Sequence, residues 1–103
     1  MDRAAFEAAL QHDGFAPVTV TMKPNAVNPS HAHDFEARLM VVDGAMTVAR
    51  EGEPARTYHA GDTFEMRLGC RHSETAGAAG ATYVAGRRFP VKTQENTHGS
   101  SRV

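Results

Sequence analysis

The feature that most limits what this chain can fold into is its punctuation. Glycine and other turn residues cut it into short β-type runs, and no helix-length periodicity appears after the first dozen positions. The runs are 18–22, 33–42, 45–50, 55–58, 63–66, 72–75 and 81–86. Lys23-Pro24-Asn25 ends the first run, and Asp43-Gly44 has the form of a two-residue hairpin turn. Glu51-Gly52-Glu53-Pro54 turns the chain again. Strands this short, with turn signals at this spacing, predict an all-β sandwich or closed barrel. Ahead of them, Phe6, Ala9 and Leu10 share one helical face, with Asp2 as N-cap and Gly14 as stop. The expected organisation is a short helix (1–14) covering one end of a barrel (15–91), followed by a flexible polar tail (92–103).

A chain of 103 residues suits one domain with a modest core, part of whose surface a partner chain is expected to cover. Its 11 Lys+Arg against 12 Asp+Glu leave a formal net charge of -1, so no basic stripe is available for nucleic acid. No run approaches the roughly 20 apolar residues of a membrane span, and the first residues lack a signal-peptide core. Cys70 is the single cysteine, which excludes an intrachain disulfide and points to a reducing, cytoplasmic setting.

Histidine is unusually frequent, with 6 residues, but spacing decides whether that means chemistry. His31-Ala32-His33 places two imidazoles two residues apart, which on a strand puts both on one face. His72, at the start of another run, can face them across a barrel interior. Two ligands from one strand and one from another define three corners of a site whose other positions stay open. The expectation is one divalent metal ion held by His31, His33 and His72. The competing reading of such a pair, taken alone, is two exposed strand histidines.

The surrounding pattern resembles the cupin superfamily. Its first motif runs glycine, His-x-His, Glu, glycine, and here Asn25, His31, His33 and Gly44 fall at the corresponding offsets. Asn tolerates the left-handed backbone of a turn, so Asn25 suits the glycine slot. The second motif runs Gly, Pro-x-Gly, His, Asn, and here Gly61, Gly69 and His72 keep register. Arg67 replaces the proline and Ala76 the asparagine. The resemblance implies a double-stranded β-helix, or jelly roll, with Fe, Mn, Ni, Zn, Cu or Co in its mouth.

The family's fourth ligand, a Glu, is missing: its slot holds Ala37, and the alternative spacing lands on Arg38. Strand alternation turns Ala37 inward and Glu36 outward, unless a β-bulge between His33 and Glu36 brings Glu36 in as the fourth ligand. Glu74, two residues after His72, should face the same interior as general base, acid or metal-orienting group, or else as a rim carboxylate. Cys70 reads as a small buried thiol, and Asp34 as an outward residue.

Phe35, Leu39, Val41, Phe64, Met66 and Tyr83 are expected inside. Arg38, Met40 and Val42 fall on the outer face, whose apolar members suggest cover by a second chain and hence a homodimer. Arg87 and Arg88 read either as an anion clamp or as a solvated pair. His12, His59 and His98 read as surface residues.

Three functions are open. The resemblance implies a metal-dependent cupin acting on a small organic molecule, as an oxygenase or an isomerase or lyase, with Glu74 moving a proton. Alternatively it is a non-catalytic module that binds or senses a small molecule, or a domain that the metal merely stabilises.

Overall fold

Asp2 accepts a hydrogen bond from the Ala5 backbone N–H at 2.8 Å through its side chain, and so starts α1 (Arg3–His12). The helix ends at Asp13, and Gly14 follows in the left-handed region (φ 82°). The computed structural model describes residues 2–90, so the 92–103 tail and His98 lie outside the described residues. Six strands follow α1: β1 (Ala16–Met22), β2 (Val27–His31), β3 (Glu36–Arg50), β4 (Arg56–His59), β5 (Thr63–Met66) and β6 (His72–Arg88). All pairings are antiparallel.

The two long strands β3 and β6 lie side by side, and each serves both halves of the molecule. In one half the order is β1, the C-terminal part of β6, the N-terminal part of β3, then β5. In the other it is β2, the N-terminal part of β6, the C-terminal part of β3, then β4. One buried cluster joins both halves, with Leu39, Val41, Phe64, Met66 and Tyr83 from the first and Met46, Val48 and Tyr58 from the second. This is the jelly roll expected from the sequence.

The breaks between runs were legible, but two of them are not reversals. Asp43-Gly44 makes no hairpin: β3 continues through it with register shifts at Val41/Asp43 and Gly44/Met46. Gly44 has φ 75°, and a Cβ there would lie 2.1 Å from the Gly80 carbonyl oxygen, so glycine is required by close approach as well as by conformation. Likewise 72–75 and 81–86 are parts of the one strand β6, kinked where Gly77–Gly80 oppose Ala45. The extra residues bend both long strands between the two halves, which a bulge does and a hairpin would not. Strand β2 was not expected from the sequence because Pro29 interrupts it; among the described residues it pairs only with β6, and an edge strand tolerates proline.

The outer face of β3 also differs from expectation. Met40 and Val84 pack with Phe6, Leu10 and Phe15, so the chain's own helix covers that face and no second chain is needed there. Arg38 pairs with Asp13 and lies over the Phe15 ring, 4.4 Å from its centroid.

Candidate metal centre

The interior between the halves opens as a cavity of about 200 Å³. Its lining draws His31 from β2, His33 and Phe35 from the β2–β3 connection, Ala37 and Leu39 from β3, and His72 and Glu74 from β6. His33 does not continue the strand of His31, since β2 stops at His31 and β3 begins at Glu36. The alternation nevertheless survives the break, and 31, 33, 35 and 37 all reach the cavity. A backbone bond from Gly69 N–H to the His33 carbonyl (3.0 Å) ties this connection to the loop before β6.

The ligand atoms of His31, His33 and His72 lie within 4.8 Å of one another. Two of the rings are oriented alike. His31 Nδ1 is 2.6 Å from the Pro29 carbonyl oxygen, and His72 Nδ1 is 3.0 Å from that of Cys70. A carbonyl oxygen only accepts, so in both rings Nδ1 carries the proton and Nε2 presents its lone pair. In each case the acceptor stands two residues before the histidine. The contribution of Cys70 therefore comes from its backbone; its thiol is half-buried beside a different groove, near Arg50 and Tyr58. His33 stacks on Phe35 (centroids 4.5 Å apart, 18° between planes). Burial first, then repulsion from His31 and His72, lowers its pKa and favours the neutral, ligating form.

Glu74 is 5% exposed and His72 is 2% exposed. Asn28 donates to Glu74 Oε1 at 2.8 Å, while Oε2 stands 3.2 Å from His72 Nε2. Because Nδ1 of His72 is committed to Cys70, that contact sets a lone pair against a carboxylate, and only a proton or a cation between them satisfies both. The proton's pull appears in the pKa of His72, raised by the Glu74 hydrogen bond against the opposing effect of burial. For Glu74, burial acts upward, but hydrogen bonds from His72 and Asn28 outweigh it and hold the pKa below the ordinary value. Three Nε2 or equivalent imidazole donors with a carboxylate beside them fit a divalent transition ion.

The remaining candidates separate clearly. Ala37 occupies the inward position and is buried, which leaves space where a fourth ligand would stand. Glu36 is not brought to the histidines: its side chain points outward and pairs with Arg88 at 2.7 Å. Residues 32–35 belong to neither β2 nor β3, so Glu36 begins a strand with its side chain on the outer face. Asp34, His12 and His59 are exposed away from the cavity. Sequence reasoning missed Asn28, which faces Glu74 in the β2–β6 register. The only signal for it lay in recognising β2, and Pro29 concealed that strand.

The sequence profile of the cupin domain matches residues 18–77, more than half of the chain. No curated protein sequence matches significantly. Among solved structures, the DMSP lyase DddQ from Ruegeria pomeroyi DSS-3 superposes with a TM-score of 0.70 at 23% identity, covering 79% of this chain and 41% of that one. An oxalate oxidase gives 0.66 at 26%, covering 74% and 42%. An RmlC-like cupin from Shewanella frigidimarina NCIMB 400 gives 0.62 at 22%, covering 72% and 66%. The chain thus spans less than half the length of the two enzymes.

Proposed function

This chain belongs to the cupin domain family, and we propose that its cavity is a three-histidine metal centre acting on a small organic molecule. The observation that carries this is the paired orientation of His31 and His72, each held at Nδ1 by a carbonyl two residues back, which leaves Nε2 as the ring atom that would coordinate. His31, His33 and His72 would hold the ion, one of Fe, Ni, Zn, Mn, Cu or Co. When bound, it would supply Lewis-acid activation or an oxygen-binding centre.

The chain's own part is proton handling. Asn28 fixes one oxygen of Glu74, and the other points at the ligand cluster from a buried position. With an ion held by the histidines, Glu74 Oε2 would be released from His72 Nε2 and could accept or return a proton at a bound molecule. An oxygenase and an isomerase or lyase both need such a group. The space beside Ala37 favours a second reading, a module that binds a small molecule without turning it over, because an ion held here would have one carboxylate fewer around it.

Elemental analysis of untagged protein should find about one equivalent of a transition metal, lost in both His31→Ala and His72→Ala. Full occupancy in both variants would sink the proposal. Oxygen uptake with the Fe(II) form and a panel of diketones, thiols and phenols would separate an oxygenase from a binding module.

A further inference from the structure

Strand alternation on β6 sends Tyr83, Ala85 and Arg87 into the same cavity as the histidines. Two of these three carry polar groups that the protein itself leaves unused. Tyr83 is 6% exposed, yet among the described residues its hydroxyl has no hydrogen-bond partner. A buried phenol is normally paired, so an unpaired one lining a cavity points to a ligand. Arg87 is exposed at the cavity mouth and forms no ion pair among the described residues; its guanidinium stands 5.3 Å from the Phe35 ring centroid. Its neighbour Arg88 shows the contrast, since it turns outward and is held by Glu36 and by the Asp13 carbonyl.

Charge then selects the kind of ligand. Among the described residues Glu74 is the single carboxylate in the lining, and both its oxygens already face partners. Against it stand Arg87 and the divalent ion that the histidines would hold, so the loaded cavity has a surplus of positive charge. A volume of about 200 Å³ matches the bulk of roughly six or seven waters at about 30 Å³ each, room for a molecule of only a few carbons. The rest of the wall includes Val20, Leu39 and Met66, which suits an apolar remainder. A planar guanidinium fork matches a carboxylate with two parallel hydrogen bonds.

We infer that the ligand of this cavity is a small organic carboxylate, paired with Arg87 at the mouth and accepting a hydrogen bond from Tyr83. The inference rests on the metal-centre reading and names the substrate class for it. Propionate and propionamide are matched in shape and differ in charge, so they serve as probes. The full chain, loaded with Co(II), is titrated with each while the visible cobalt spectrum and the heat of binding are followed. Propionate should bind at least about tenfold more tightly than propionamide, as charge-assisted pairing implies. Arg87→Gln should weaken propionate about tenfold and Tyr83→Phe about threefold, with cobalt content unchanged in both.

Equal binding of the two probes overturns the inference, as does an Arg87→Gln variant with full cobalt and parental propionate affinity. If the protein takes up no cobalt, the metal-centre reading fails by itself. The same titration of the metal-free protein then decides the inference separately: an Arg87-dependent preference for propionate sustains it, and no preference overturns it.

Discussion

Glu74→Gln isolates the carboxylate beside the histidines while preserving side-chain shape. Asn28 can still donate to the remaining carbonyl oxygen, so the 2.8 Å bond survives. The new amide group lies where Oε2 stood, 3.2 Å from His72 Nε2, and donates into the lone pair that an ion needs. The site therefore loses a negative charge and gains a competitor. Groups that support a metal ligand in this way are worth about 10- to 100-fold in affinity, or about 1.4 to 2.8 kcal/mol. A second effect has the opposite sense. Glu74 raises the pKa of His72, so protons compete for Nε2 in the parent. Without the carboxylate that pKa falls back, and proton displacement of the metal moves to lower pH. Competition against a chromophoric chelator from about pH 5 to 8 reads both effects. Weaker binding at high pH together with an acid limb shifted downward is expected. Parental affinity in the variant would refute the argument, and so would an affinity loss with no shift of the acid limb.

Gly44→Ala should destabilise the fold by at least about 1–2 kcal/mol from the left-handed backbone alone. The added Cβ would also collide with the Gly80 carbonyl, which must move, and urea denaturation measures the total. Leu10→Ala empties a fully buried position beneath α1 and should cost about 2–5 kcal/mol in the same assay, with metal content unchanged. In metal-free protein, the raised pKa of His72 stabilises the fold below its ordinary value of 6.5 and fades as pH climbs through the folded value. The lowered pKa of Glu74 stabilises above its ordinary 4.5 and fades as pH drops through the folded value. The pair's contribution should thus be greatest between 4.5 and 6.5, and thermal melts across pH should show a maximum there that Glu74→Gln flattens. A pH-independent difference between parent and variant would contradict it.

Much of the site was legible because its signals are local. His31, His33 and His72 were identifiable from spacing, and Ala37 from alternation, since side-chain period depends only on neighbouring backbone. Glu74 was placed inside for the same reason. Asn28 was not found, because its role depends on a strand that Pro29 disguises and on pairing with a residue far along the chain. Glu36 as a ligand depended on a turn of the chain just before β3, and its carboxylate instead ended against Arg88. The outer face of β3 was correctly read as apolar, but its cover came from α1, whose docking on Met40 and Val84 no local pattern records.

Sequence alone therefore determined the class of fold, the places where the strand runs break and the three imidazoles, all consequences of short-range geometry and residue chemistry. Only the tertiary structure decided whether a glycine break reverses the chain or bends it. At Gly44 and at Gly77–Gly80 that choice is made by partners across the sheet, which keep β3 and β6 paired through both kinks. The same long-range pairing sets Arg87 at the cavity mouth and Arg88 on the opposite face. It also brings Asn28 and Tyr83 to a cavity that neither could mark by itself.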